Sequence, residues 1–198
     1  ALFATYWWLA GRAVALSLSG ATCFWCARVV ARAGLSRGLI AALALAGVVG
    51  AITSLLQTYG LRVDMFSLNR APGGTFGNRN FMAHLCVICF PALLLSALRA
   101  ESRRAFGWWS AALAVVAAAL VLSRSRAAWL SLVACVIVLV VFGFFAVRRA
   151  RGAISWRRLL LLSLAAGAGG GLSLLLPNTL NWKSDSPYLE TARSVVNY

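Results

Sequence analysis

The chain has 198 residues, 62% of them hydrophobic, with a mean hydropathy of +0.84. These values exclude an ordinary soluble domain and point to an integral membrane protein. Nineteen basic residues oppose four acidic ones, for a formal net charge of +15. The arginines fall in short gaps between apolar runs, which suits loops meeting anionic lipid and argues against a nucleic-acid partner.

A bilayer core of about 30 Å needs about 20 helical residues. Six stretches meet that length, at about 7–27, 38–60, 80–98, 107–123, 127–147 and 159–177. They are long, rich in alanine and leucine, and lack alternation, so the fold class is an all-α transmembrane bundle and not a β-barrel. Residues 178–198 read as the start of an extramembrane loop. The chain opens at Ala1 directly in apolar sequence and stops at Tyr198 in a polar stretch, so it reads as a piece of a longer protein and a larger bundle. No basic region precedes the first apolar run, so no cleavable signal peptide is expected.

The gaps set the expected orientation. The first, third and fifth carry eleven basic residues: Arg28, Arg32, Arg37, Arg99, Arg103, Arg104, Arg148, Arg149, Arg151, Arg157 and Arg158. The second, fourth and last carry seven: Arg62, Arg70, Arg79, Arg124, Arg126, Lys183 and Arg193. Three of the four acids, Asp64, Asp185 and Glu190, share that second side. The positive-inside rule then places the second set outside. Tryptophans 7, 8, 108, 109, 156 and 182 lie near span ends, as an aromatic belt requires.

Within the third span Pro91 is expected to kink the helix. The Gly167, Gly169, Gly170, Gly171 cluster of the sixth reads as a site of close helix approach in preference to a hinge. Cys23-Phe24-Trp25-Cys26 and Cys86-Val87-Ile88-Cys89 form a CxxC…CxxC pair that would suggest zinc in a soluble protein. Here the pairs lie in apolar spans, at depths of roughly 25 and 11 Å from the outer surface. Bonds of ~2.3 Å do not bridge that separation, so no metal site is expected. His84, one turn beyond Asn80, reads as a polar residue satisfied inside the bundle more readily than as a proton acceptor near the outer surface, because no carboxylate is adjacent in sequence.

Two polar turns on the outer side carry the candidate chemistry. Residues 73–81, Gly-Gly-Thr-Phe-Gly-Asn-Arg-Asn-Phe, offer flexible backbone N–H groups, two amides and a guanidinium. Consecutive N–H groups and an arginine fork suit an anion such as a phosphate. Gly77, Asn78, Arg79 and Asn80 are therefore candidate substrate-binding residues, with Arg70 just upstream, and Asn78 or Asn80 is also a candidate helix cap. Ser123-Arg124-Ser125-Arg126 is the second turn. Two arginines there run against the orientation bias, and their natural counter-ion is a phosphate or diphosphate. Arg126 is the leading candidate for catalysis, with Arg124 as a binding residue.

Residues 74–81, Gly-Thr-Phe-Gly-Asn-Arg-Asn-Phe, followed by an apolar helix containing Pro91, resemble the O-antigen ligase and polymerase family. Ser125-Arg126-Ala127-Ala128-Trp129-Leu130 is similar to its Ser-Arg-Gly-Ala-Trp-Leu motif, with Ala127 where glycine is usual. The tail Trp182-Lys183-Ser184-Asp185-Ser186-Pro187-Tyr188 resembles the beginning of the family's large periplasmic loop. The resemblance covers essentially the whole chain, most clearly from the second span onward. It implies a multi-pass glycosyltransferase of the bacterial inner membrane with a periplasm-facing site. Such enzymes move a glycan from undecaprenyl diphosphate to an acceptor, without a nucleotide sugar or an obligatory metal or other cofactor. The acceptor is a lipid A core sugar for ligases, another glycan repeat for polymerases, and a protein hydroxyl for related transferases. The family's Ser-Arg-Gly arginine contacts the donor diphosphate, which transfers to Arg126 alone. Its catalytic histidine lies in the large loop, so His84 is not expected to take that role. The competing classes are a membrane transporter and an inert membrane scaffold. All four acids fall outside the six spans, which argues against proton or cation coupling.

Overall fold

The computed structural model describes residues 7–61, 63, 66, 72–150 and 155–180. Among these residues every regular element is helical. Helix α1 spans Trp7–Val30 and α2 spans Ser36–Thr58, joined by a π-helical turn at Ala31–Leu35. A 3-10 turn at Gly74–Phe76 precedes α3, Arg79–Leu98. Helices α4, Arg103–Ser123, α5, Arg126–Ala150, and α6, Trp156–Leu175, complete the order.

Five helical segments are long and apolar enough to cross a membrane: Trp7–Thr58, Arg79–Leu98, Arg103–Ser123, Arg126–Phe145 and Trp156–Leu175. The two stretches expected at 7–27 and 38–60 are thus joined in one run, broken only at Gly34, whose φ of 81° lies in the left-handed region. Helices α4, α5 and α6 also extend beyond the expected apolar limits into arginine-bearing flanks. Helical hydrogen bonding need not stop where an apolar run ends, and the aliphatic stems of arginines on such flanks let the charged heads reach water.

The chain forms two compact units, Ala1–Ala42 and Leu43–Tyr198. In the first, α1 has no buried residue. Its hydroxyls are nevertheless satisfied by the helix itself: Ser17 donates to Ala13 O, Ser19 to Ala15 O and Thr22 to Leu18 O, at 2.8–2.9 Å. That is how a polar side chain survives where no water competes.

In the second unit, α2 presents a stripe of small residues, Ala44, Gly47, Gly50, Ala51 and Ser54, all buried. The stripe admits α3 at close range. A Cβ on Gly47 would collide with Cys89, and one on Gly50 would lie 2.8 Å from a Leu85 methyl and 3.2 Å from the Met82 methyl. Small residues are the usual device for helix association in lipid, where apolar burial supplies little drive. Cys86 and Cys89 are buried apolar packing residues here.

Helix α4 packs against α3 and along α6, and α5 packs on α3. Leu113, Val116, Leu122, Met82, Leu93 and Leu162 form the fully buried centre. Gly169 lies against the backbone of Ala114, and Gly170 would place a Cβ 3.0 Å from Val121. Close approach is therefore the role of that glycine cluster at these two positions. Pro91 lies within α3, whose helical run continues on both sides of it.

Candidate functional site

Hydrogen bonds and ring contacts within the second unit fix which helix ends belong together. Arg158, at the start of α6, donates to Leu98 O at 2.8 Å and stacks 5.5 Å over Phe106 near the start of α4. The end of α3 and the starts of α4 and α6 therefore share one end. The opposite end gathers the C-termini of α2, α4 and α6 and the N-termini of α3 and α5. There Tyr59 donates to Ser173 O at 3.3 Å, and Thr179 donates both its N–H and its hydroxyl to Thr58 O. Burial pushes the Tyr59 phenol above its ordinary value, so it keeps this proton through the neutral range.

The glycine-rich turn lies at this end, but it is built differently from an open anion cradle. Gln57, in the last turn of α2 and 5% exposed, accepts hydrogen bonds from the backbone N–H groups of Gly73 and Gly74 at 2.9 and 2.8 Å. Ser54 donates to Pro72 O at 3.2 Å. Phe76 and Gly77 donate their N–H groups to Gly73 O and Gly74 O. Four of the turn's backbone donors are therefore used internally, which corrects the expectation that they are offered to a ligand. Gly77, at φ 65°, is the left-handed cap of the 3-10 turn, a role that favours glycine.

Asn78, not Asn80, caps α3. It is extended at φ −145° and ψ 125°, and its Oδ1 accepts from Asn80 N at 2.9 Å. Arg79 occupies the first helical position and is half-buried; Asn80 is exposed. His84 is exposed, and its Nδ1 donates to Asn80 O at 2.6 Å. It is satisfied by its own helix, not inside the bundle as expected. Arg70 lies outside the described residues.

The α4–α5 turn separates its two arginines. Ser123 and Ser125 are buried; Ser123 donates to Leu120 O, and its Oγ accepts from Ser125 N. Arg124 adopts φ 53° and ψ 29°, the sole left-handed non-glycine residue among those described. Such a conformation costs roughly 1–2 kcal/mol. Its Nε and Nη1 atoms are shielded from solvent. Arg126, two residues on, is the first residue of α5 and is exposed.

The electrostatics of this end follow from helix polarity. Helices α3 and α5 both point their N-termini here, and neither has an acidic residue in its first turn. An arginine at such a position opposes the macrodipole by roughly 0.3–1 kcal/mol. Among the described residues the one carboxylate is Glu101, beyond the far end of α3. Arg79, Arg124 and Arg126 thus stand beside two helix N-termini whose partial positive charge adds to theirs. An anion there would relieve both unfavourable placements.

Residue type alone does not single out Gln57, Ser54, Thr58 or Thr179. A signal existed: Ser54, Gln57 and Thr58 recur at helical spacing in the last turns of an apolar span, where polar groups are costly unless satisfied. No group of three or more His, Cys, Asp or Glu side chains suited to a metal ion occurs among the described residues. Comparison with protein-family models, curated proteins and solved structures finds no match for this chain.

Proposed function

We propose that this chain is the membrane-embedded part of a bacterial inner-membrane glycosyltransferase of the O-antigen ligase type. It transfers a glycan from undecaprenyl diphosphate to an acceptor at the periplasmic face, in lipopolysaccharide or other surface polysaccharide synthesis. The observation that carries this reading is the convergence of two arginine-led helix N-termini, at Arg79 and Arg126, on one end of the described bundle. The sequence resemblance supplies the identity of the anion. A polymerase or a protein transferase of the same family uses the same donor and differs in acceptor.

The run Trp7–Thr58 supplies two spans in this reading. Its two helices, of 24 and 23 residues on either side of the break at Gly34, are each about 35 Å long, enough for one crossing apiece. The bundle then has six spans, its arginine-poorer end faces the periplasm, and residues 178–198 begin a periplasmic loop that completes the site.

Charge builds on the diphosphate as the glycosidic bond breaks, and fixed cations in a partly dry site stabilise it most. Arg126 is exposed and meets the leaving diphosphate. Arg79 and the shielded Arg124 raise the local potential, and Asn78 and Asn80 orient phosphate or sugar hydroxyls. Arg70 belongs to the same candidate set. The isoprenoid tail lies along apolar helix faces.

Binding of undecaprenyl diphosphate to the purified chain in nanodiscs tests this. Saturable binding weakened by salt and by R126A supports it. No binding by a folded chain overturns it, and liposome uptake of a small solute would favour a transporter.

A further inference from the structure

We infer that Gln57 is a positioning residue for the proposed donor site, acting through the backbone of Gly73 and Gly74 on Asn78 and Arg79. The inference rests on the donor-site reading, but its structural half stands separately.

Gly73 is right-handed, at φ −100° and ψ −12°, and Gly74 is left-handed, at φ 52°. Successive residues of opposite hand aim their N–H groups at one point and form a concavity suited to an anion. In this protein the concavity holds a neutral oxygen from within the chain, Oε1 of Gln57, at 2.9 and 2.8 Å. The side chain is buried, so these bonds form away from competing water. The concavity therefore works as a socket for α2.

The socket is coupled to the cap of α3 by contact. A Cβ on Gly73 would lie 2.5 Å from Asn78 N and 2.8 Å from Gly77 C. A Cβ on Gly74 would lie 2.5 Å from Thr53 Oγ1 and 2.9 Å from Ser54 N. The turn is thus pressed between α2 on one side and the Asn78 backbone on the other. Ser54, bonded to Pro72 O, holds the segment from the preceding turn of α2. Loss of the Gln57 acceptor leaves two buried N–H groups unsatisfied, and the turn relaxes by moving outward. Asn78 and Arg79 move with it, because no linker separates them from the socket.

Amide hydrogen exchange and donor binding on the full chain in nanodiscs test this. In the wild type the Gly73 and Gly74 amides should exchange at least tenfold more slowly than in Q57L. Q57E, which keeps an acceptor oxygen, should restore that protection. Undecaprenyl diphosphate should bind Q57L at least fivefold more weakly than wild type at unchanged helix content. Fast exchange at both glycines in the wild type overturns the inference without any variant, even where Q57L fails to fold. Equal protection and equal affinity in Q57L also overturn it. Protection that depends on Gln57 in a wild-type chain that binds no lipid diphosphate would keep the clamp and sink the donor-site reading instead.

Discussion

Thr179 donates twice to the carbonyl of Thr58, through its backbone N–H at 2.9 Å and its hydroxyl at 2.8 Å. This carbonyl is one of the last four of α2 and has no partner further along the helix. The bond therefore satisfies a helix end and ties the chain leaving α6 to the end of α2. Thr179→Val keeps the N–H bond and deletes the hydroxyl. We expect a loss of about 0.5–1.5 kcal/mol in unfolding free energy, read by denaturant titration in detergent. A loss within error would mean that the backbone bond alone holds the strap.

Arg126→Ala should lower glycan transfer by the full-length enzyme at least tenfold, about 1.4 kcal/mol in barrier height. Expression and folding should stay normal, because the side chain is exposed at the start of α5. Near-normal transfer would remove Arg126 from the site.

Arg124→Gly separates backbone strain from side-chain role. Glycine tolerates φ 53° without the left-handed penalty, so the turn itself should be stabilised. Donor affinity should nevertheless fall several-fold, because a shielded cation is lost. A variant with unchanged affinity in a binding titration would make Arg124 a cap residue only.

Asn78 offers an opposite-sign test. Asn78→Asp keeps a cap acceptor and adds a negative charge where the dipole favours it, so α3 should be as stable as in the wild type or more so. The same charge should repel a diphosphate and weaken its binding, most strongly at low salt. Asn78→Ala should cost roughly 1 kcal/mol of stability. Tighter donor binding by the aspartate variant would argue that the ligand is not an anion.

Gly169→Val forces a branched side chain into the backbone of Ala114. Helices α4 and α6 must then separate, and we expect destabilisation of at least ~2 kcal/mol in thermal unfolding. Gly167→Val, with nothing within 4 Å of its Cβ position, serves as the matched control and should be nearly neutral.

Apolar runs near the length of a bilayer determined the helices by themselves, because span length follows from hydrocarbon thickness and helical rise. That Asn78 or Asn80 caps α3 was legible for a similar reason, since capping is a local competition between side chain and backbone, but the structure chose Asn78. The composition of residues 73–81 also marked a turn. It did not reveal that Gln57, sixteen residues earlier, fills the turn's concavity. That contact depends on how α2 and α3 pack, and a sequence does not display which acceptor reaches a given N–H. The Ser123–Arg126 segment shows the same division. Two arginines in a short turn were evident, but only the left-handed conformation of Arg124 sends one toward shelter and leaves Arg126 exposed. Local chemistry is written in residue order, whereas the pairing of distant polar groups is decided by tertiary contact.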